Sequence, residues 1–234
     1  MIKDNVWEIR ERIRRACAKV GQKPETVNFV AVTKNRSLEQ IRETLDAGIV
    51  DIGENKVQEA SLKYKQFSSF GLDPSRITWH MVGHLQTNKV KEAVGIFDLI
   101  HSVDSLYLAQ EIDKQAAKIE KVQQILLEVK TSPEETKFGL KPEDLSGLLR
   151  EISRLKNISV KGLMTIAPVL NDPQDVRPYF RVLREFKDKI NLQRVPGEKL
   201  NILSMGMTDD FEVAIEEGAN MVRIGRAVFE GKSA

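Results

Sequence analysis

The sequence predicts an eight-stranded β/α (TIM) barrel, because short strand-like runs alternate with helix-like stretches along most of the 234 residues. The eight runs start between residues 28 and 221 and lie about 28 residues apart, close to the repeat of a β/α barrel of about 250 residues. They are continuously apolar more than alternating, which is typical of a parallel sheet covered by helices. A doubly wound open sheet is the alternative, and the strand count argues against it.

The N-terminal segment predicts an amphipathic helix over about residues 4–20. Its apolar residues recur at steps of three and four, and Gly21 supplies a stop. Cys17 lies on the apolar face, where a free cysteine packs as a small hydrophobe. We place the barrel after this helix, at about residues 28–230, within one domain that covers residues 1–234.

The barrel segment divides into eight predicted strands and the helix-like stretches between them. The strands are NFVAVT (28–33), VDIGEN (50–55), TWHMVG (78–83), FDLIHS (97–102), QILLEVK (124–130), VKGLMTI (160–166), LNILSMG (200–206) and MVRIG (221–225). The helix-like stretches include SLEQIRETLDAG, SLYLAQEIDKQAAKIE, PEDLSGLLREISRL, VRPYFRVLREFKDKI and TDDFEVAIEEGA. Ser37, Ser105 and Thr208 are placed to accept hydrogen bonds from first-turn amides, and Gly48 and Gly218 stand where helices should stop.

The composition argues against several classes of partner. There are 36 Lys and Arg residues and 34 Asp and Glu residues, and the net charge of +2 gives no reason to expect nucleic acid or an anionic membrane as a partner. No run approaches the roughly 18 apolar residues of a membrane span, and the charged N-terminus has no signal-like core. The single cysteine excludes an internal disulfide and suits a reducing compartment. We therefore expect a soluble, cytoplasmic protein.

The three histidines do not predict a metal site. Together with the scattered carboxylates they match no recognisable metal-binding spacing, so we expect no bound metal. His80 and His84 are equally consistent with hydrogen-bonded core side chains and with a role in a pocket. His101 has no partner nearby in the sequence.

Polar residues cluster where the predicted strands end, at the edge that carries the functional residues of a β/α barrel. Lys34 follows the first strand. Residues 204–208 (SMGMT) follow the seventh strand, and Gly225 and Arg226 follow the eighth, where barrels commonly bind phosphate through backbone amides and a helix N-terminus. A lysine opposite such a phosphate site is the arrangement that pyridoxal phosphate needs.

The chemistry of a Schiff base explains which residues this arrangement requires. A lysine with an unperturbed pKa of about 10.4 must be shifted toward its neutral form by desolvation or by nearby cations. The end of an inner strand would bury Lys34, and Arg36 and Arg223 would supply positive charge. The phosphate would take hydrogen bonds from the amides of Gly206, Met207 and Gly225 and from the hydroxyls of Ser204 and Thr208.

Each of these residues also has an ordinary structural interpretation. A strand-terminal lysine such as Lys34 is usually a surface residue whose stem packs while its charge stays in water. Ser204, Gly206 and Thr208 would serve equally well in a strand-to-helix turn, with Thr208 as the N-cap. Arg223 is harder to explain in this way, because a charge inside a buried strand is costly unless it is paired.

Several motifs taken together resemble one protein family. They are AVTK, IGENKVQE, WHMVGHLQTNK, SVDS, KFG, KGLMTIAP, LSMGMTDDFEVAI and GANMVRIGRAVF. In this order, over about residues 5–230, they resemble the pyridoxal 5′-phosphate homeostasis family, whose proteins are similar to the N-terminal barrel of alanine racemase.

The resemblance implies one barrel domain that binds pyridoxal 5′-phosphate (PLP) as an internal aldimine with Lys34. Around the phosphate it implies Ser204, Gly206, Met207, Thr208 and Gly225. It also implies Arg223 near the ring nitrogen, with Asn55 and His84 lining the pocket. Arg226 stands where the family commonly has a small hydroxyl residue, so we include it among the candidate cofactor-binding residues with its phosphate contact left open.

The resemblance favours a carrier of PLP over an enzyme. Racemisation of the alanine racemase type needs a second acid/base from a separate C-terminal domain, and this chain ends nine residues after Gly225. A guanidinium beside the ring nitrogen would also leave that nitrogen unprotonated and weaken the cofactor as an electron sink. We therefore expect a monomer that stores, delivers or buffers PLP, with PLP-requiring apoenzymes as candidate acceptors.

Two enzymatic alternatives stay open. One is a weak PLP-dependent amino-acid racemase, and the other is an aldolase that uses Lys34 on a phosphorylated sugar. A second lysine, Lys137, lies in the loop after the fifth predicted strand. We expect that it does not form the main adduct, because a loop amine stays solvated and protonated.

Overall fold

A closed barrel of parallel strands forms the centre of the molecule. The computed structural model describes residues 1–132, 139–193 and 199–231. The strands pair in chain order, and the last pairs with the first. They are β1 (Asn28–Val32), β2 (Asp51–Glu54), β3 (Thr78–Met81), β4 (Leu99–Val103), β5 (Gln123–Glu128), β6 (Ile158–Met164), β7 (Ile202–Ser204) and β8 (Met221–Ile224). The predicted β/α barrel is therefore confirmed.

Helices cover the outside of the barrel. They are α1 (Ile2–Val20), α2 (Leu38–Asp46), α3 (Val57–Phe67), α4 (Val90–Ile96), α5 (Leu106–Ala117), α6 (Leu145–Ile152), α7 (Arg177–Gln193), α8 (Phe211–Glu216) and α9 (Arg226–Phe229). The N-terminal helix α1 packs against α8, α9 and α2. Its buried face includes Cys17, as its amphipathic period predicts. Among the described residues, no helix is both long enough and apolar enough to cross a membrane.

Two of the predicted helix caps are confirmed. Ser37 Oγ accepts a hydrogen bond from the Gln40 amide at 3.3 Å, and the Gln40 side chain accepts one from the Ser37 amide at 3.1 Å. This reciprocal pair starts α2. Ser105 Oγ accepts from the Leu108 amide at 3.3 Å and starts α5 in the same way.

The prediction that Thr208 caps a helix is wrong. The helix after β7 begins at Phe211, and Asp210 is the residue that precedes it. A turn lies between the strand and the helix, because the carbonyl of Met207 accepts from the amides of Asp210 and Phe211. The Thr208 hydroxyl instead accepts a long hydrogen bond of 3.5 Å from the Ala227 amide at the start of α9.

The barrel interior changes from apolar to polar along the strands. An apolar cluster inside the barrel consists of Val30, Leu99, Leu126, Met164 and Met221. Side chains two residues apart on a strand share a face, so His101, Ser204 and Arg223 point inward two positions after Leu99, Ile202 and Met221. The strands therefore deliver polar groups to the interior just before their carboxyl ends.

Candidate functional site

A cavity of about 430 Å³ opens at the carboxyl end of the barrel, beside β1 and β8. Its volume lies in the range of ordinary small-molecule sites, roughly 300–1,000 Å³. Six of the ten candidate residues from the sequence line it, although they come from three different strand ends. They are Lys34, Met207, Thr208, Arg223, Gly225 and Arg226.

Lys34 reaches the cavity from the first loop of the barrel. It stands two residues after the end of β1, between the buried Thr33 and the exposed Asn35. The expectation that the strand end buries this lysine is wrong, because β1 stops at Val32 and the chain turns at Asn35, which has a left-handed φ of 59°. The Lys34 side chain is exposed and open to a ligand in the cavity.

Asp210 already occupies one of the expected phosphate donors. Its carboxylate accepts a hydrogen bond of 2.5 Å from the Met207 amide. The carboxyl group is nearly buried, and burial raises its pKa, while the Met207 amide and the nearby Arg223 charge oppose that rise. An anion that uses the Met207 amide must therefore displace Asp210.

Gly206 has no room for a side chain. Its φ is +93°, and a Cβ there would lie 2.6 Å from Ala214 Cβ and 2.8 Å from Phe211 Cα. The glycine thus allows the loop after β7 to pack directly on α8. The Gly206 carbonyl accepts a hydrogen bond of 3.0 Å from the Arg223 amide, which ties this loop to β8.

Two charged pairs lie at the mouth of the cavity. Arg226 forms an ion pair with Asp209, and Arg36 forms one with Glu230. All four residues line the cavity. Because Arg226 and Asp209 have side-chain exposures of 57% and 64%, water screens this pair strongly and the guanidinium can exchange partners at low cost.

Arg223 is the buried cation of the site. Only 4% of the residue is exposed, yet its Nη1 donates to Ser204 Oγ at 2.6 Å and its Nη2 donates to the Thr165 carbonyl at 2.9 Å. Burial lowers its pKa to about 10, although the Asp210 and Glu128 carboxylates act against this. The group stays charged at neutral pH, and a guanidinium has five N–H groups, so donors remain for a ligand.

A chain of hydrogen bonds runs from Arg223 through the barrel interior. Ser204 Oγ lies 3.0 Å from His101 Nδ1, and His101 Nε2 lies 3.0 Å from His80 Nδ1. His80 Nε2 in turn lies 2.9 Å from Asp51 Oδ1. We call these five residues the histidine chain.

When both histidine rings are neutral, the Asp51 carboxylate, which can only accept, fixes the direction of every hydrogen bond in the histidine chain. Arg223 can only donate, so Ser204 Oγ accepts from it, and in this arrangement Oγ donates its own proton to His101 Nδ1. His101 is then a neutral ring whose Nε2–H donates to His80 Nδ1, and His80 Nε2–H donates to Asp51. Burial, together with the nearby His80 and Arg223, holds the pKa of His101 well below its usual range, in agreement with a neutral ring.

His101, which has no partner nearby in the sequence, thus gains two partners in the fold. Its partners stand 21 and 103 residues away in the chain, and the fold of the barrel brings them together.

Ser204 was predicted to bind the phosphate through its hydroxyl. Its hydroxyl is fully buried behind Arg223, and its direct contact with a phosphate stays a prediction.

Glu128 adds a titratable group near the guanidinium. It ends β5 and is 6% exposed. Burial and the charge of Asp104 raise its pKa to about 7, against the attraction of Arg223. The interior therefore holds a carboxyl group that changes its charge near neutral pH.

Asn55 follows β2, and His84 lies in the loop after β3. Both belong to the described residues, and neither lines the cavity. The Asn55 carbonyl passes so close to Gly83 that a Cβ there would be 2.3 Å away. The His84 ring is partly exposed, with Nδ1 3.9 Å from Asp104 Oδ2. Lys137 falls outside the described residues.

The apolar wall of the cavity was not foreseen from the sequence. It comes from the loop after β6, in which Val169 is 93% exposed. The signal was a run of apolar residues that continues past a predicted strand into a proline-rich loop. The wall residues are Pro168, Val169, Leu170, Pro173 and Val176.

Comparison with known proteins places the chain in a family. The alanine racemase N-terminal domain family matches residues 5–233. The chain is 47% identical to the pyridoxal phosphate homeostasis protein of Aquifex aeolicus, over 97% of this chain and 96% of that protein. The chain belongs to the pyridoxal phosphate homeostasis protein family. Another family member, from Escherichia coli, is 33% identical over 97% of this chain and 95% of its own length.

Solved structures of other proteins share this barrel. PipY of Synechococcus elongatus, solved with PLP bound, is 36% identical and superposes with a TM-score of 0.85, covering 98% of this chain and 100% of PipY. Alanine racemase of Clostridium difficile is only 15% identical, with a TM-score of 0.74, and covers 97% of this chain and 59% of the racemase. The second likeness concerns the fold alone.

Proposed function

We propose that this protein binds PLP in the cavity through Lys34 and serves in PLP homeostasis by storing, delivering or buffering the cofactor. The observation that carries the proposal is the placement of the Lys34 amine and the charged Arg223 guanidinium on one cavity of about 430 Å³. Membership in the family supports it. So does PipY, a relative that was solved with PLP bound.

The lining residues fit the chemical groups of PLP. The cofactor supplies an electrophilic carbonyl that a lysine amine captures as a Schiff base. Lys34 offers the amine, and the N–H groups of Arg223 that Ser204 and Thr165 leave unused suit the ring nitrogen as an acceptor. Arg36 and Arg226 bring positive charge for a phosphate dianion.

The site suits holding a cofactor better than catalysing with it. Arg223 keeps its proton at neutral pH, so it donates a hydrogen bond and gives no proton to a ring nitrogen. Among the described residues that line the cavity there is no tyrosine, histidine or cysteine. The lining carboxylates Asp209, Asp210 and Glu230 are each already bonded to a neighbour. The candidate acceptors of the cofactor are PLP-requiring apoenzymes, and we expect the carrier to be a monomer.

Borohydride reduction followed by peptide mass mapping tests the proposal. We expect the wild-type protein to carry one pyridoxyl group on Lys34. Lys34→Ala should fold normally, because the side chain is exposed, and should carry none. It should still bind pyridoxine 5′-phosphate, which has no aldehyde, because each remaining charge-assisted hydrogen bond contributes about 1–3 kcal/mol.

A matched control is Lys56→Ala, which removes an exposed lysine at the end of the neighbouring strand β2. This variant should label like the wild type. A pyridoxyl group found chiefly on Lys137 or another lysine would contradict the role of Lys34. Sustained racemisation of alanine or serine by the loaded protein would contradict the carrier and favour an enzyme.

A further inference from the structure

A buried group of charges lies directly behind Lys34. Lys63, on α3, is only 7% exposed, and lysine is almost never buried without partners. Its ammonium group donates to Glu54 Oε1 at 2.6 Å, to Glu59 Oε1 at 2.7 Å and to the Thr33 carbonyl at 2.6 Å. These three acceptors use all three N–H donors of the ammonium. We call Glu54, Glu59 and Lys63 the lysine cluster.

The lysine cluster holds the backbone on both sides of Lys34. On one side, Thr33 gives its carbonyl to Lys63 and donates its hydroxyl to Glu54 at 2.6 Å. On the other side, the Asn35 amide donates to Glu59 Oε1 at 2.5 Å. The residues before and after Lys34 are therefore bonded to the same set of charges.

The conformation of Asn35 shows why this support matters. A φ of 59° is unusual for a residue with a side chain, and asparagine is among those that tolerate it best. The hydrogen bond from its amide to Glu59 stabilises that turn. This turn directs Lys34 into the cavity and away from the direction of β1.

The charges of the cluster are arranged to keep Glu59 ionised. Burial alone would raise the pKa of Glu59, but the hydrogen bonds from Lys63 and from the Asn35 amide outweigh it and hold that pKa below its usual range. Glu54 is fully buried, and burial raises its pKa against the attraction of Lys63. Its Oε2 has no hydrogen-bond partner among the described residues. Such a costly arrangement is typical of a group retained for a geometric task.

We infer that Glu54, Glu59 and Lys63 are positioning residues for Lys34. They order the loop before any ligand arrives, so that covalent capture does not have to order it. The inference rests on the proposed capture of PLP by Lys34. A cluster that merely tied β2 to α3 would need no bond to the Asn35 amide.

The test compares covalent capture with non-covalent binding in Glu59→Ala. Glu59 is the most exposed member of the cluster, at 23% of its side chain, so this variant should fold, as circular dichroism will check. We expect equilibrium capture of PLP on Lys34, measured by borohydride trapping, to fall about tenfold, the value of one hydrogen bond to a charged group. Affinity for pyridoxine 5′-phosphate should stay unchanged, because that ligand forms no bond with the amine.

Two variants and one further measurement sharpen the test. Glu59→Gln keeps a carbonyl acceptor for Asn35 and should restore most of the capture. Glu43→Ala removes an exposed glutamate from α2 and should behave like the wild type. Amide hydrogen exchange at Asn35, measured without any cofactor, should be faster in Glu59→Ala than in the wild type and in Glu59→Gln.

The outcomes separate this inference from the proposed function. If Glu59→Ala captures PLP as well as the wild type, or loses both ligands equally, the positioning role is overturned while capture by Lys34 stands. Unchanged exchange at Asn35 overturns it as well. If the wild type itself traps no pyridoxyl group on Lys34, both the proposed function and the positioning role fail.

Discussion

The histidine chain and the lysine cluster are two buried polar networks beside the same cavity. The first ends at Arg223, which lines the cavity, and the second is bonded to the loop that carries Lys34. The histidine chain crosses the barrel through neutral rings and a hydroxyl, with charges at its two ends. The lysine cluster concentrates two carboxyl groups on one ammonium. Neutral groups are less expensive to bury than charges, so the longer network is built from them. Charges are used where a loop must be held firmly.

The same comparison shows which network depends on a single residue. In the histidine chain each of the three inner members, Ser204, His101 and His80, contacts two neighbours, so a loss leaves local gaps. In the lysine cluster every bond described above passes through Lys63 or a carboxylate bonded to it. Removing Lys63 should therefore do more damage than removing any one member of the histidine chain.

Lys63→Met is expected to have the largest effect. It leaves Glu54 buried without its cation and the Thr33 carbonyl without its donor, and breaking a buried pair in this way costs about 3–5 kcal/mol of stability. Urea denaturation measures the loss. Lys65→Met, an exposed lysine on the same helix, should change stability by less than about 0.5 kcal/mol. Equal losses of stability in Lys63→Met and Lys65→Met would show that the buried bonds of Lys63 contribute no more to stability than an exposed lysine does.

Ser204→Ala should have the next largest effect. It leaves Arg223 Nη1 and His101 Nδ1 without their shared partner, at a cost of about 2–3 kcal/mol for the two buried groups together. The matched control is Ser102→Ala on β4, because the Ser102 hydroxyl is buried and has no hydrogen-bond partner in the part of the chain that the structure describes. That change should be nearly neutral in the same denaturation experiment. If both serines cost the same, the hydrogen bonds of the histidine chain contribute nothing measurable.

Glu128→Gln should have a smaller effect that depends on pH. The folded protein raises the pKa of Glu128 to about 7, so its contribution to stability is full at acid pH and is lost as the pH rises through about 7. Between about pH 5.5 and pH 8 this loss amounts to about 2 kcal/mol. Glu128→Gln should lack this component of the pH dependence. A variant with the wild-type profile would show that Glu128 is ionised throughout this range.

The sequence predicted the barrel and the strand ends because both are local patterns. Lys34 and Arg226 were placed on one cavity from nothing more than their positions after two strands. The histidine chain could not be predicted in that way, since its members come from β2, β3, β4, β7 and β8. The exposure of Lys34 was also missed. It depends on where β1 stops and on the left-handed turn at Asn35, neither of which an apolar run specifies.

The lysine cluster lies between these two cases. Glu54 and Glu59 stand inside the IGENKVQE motif, and Lys63 follows one helical turn after Glu59. A pair at this spacing on a helix normally suggests a solvated ion pair. Only the hydrogen bonds to the Thr33 carbonyl and from the Asn35 amide show that the pair faces the loop that carries Lys34.

The carboxylate of Asp210 already accepts the hydrogen bond of the Met207 amide, so it competes with any ligand that would use this amide. A ligand that binds this amide always has the competing Asp210 carboxylate close by, because both belong to the same loop. Asp210 can bind the amide again as soon as the ligand moves away, so we expect it to shorten the residence time of such a ligand. An enzyme that holds its coenzyme permanently would not benefit from such competition. Such competition suits the proposed carrier, which must release its cofactor again.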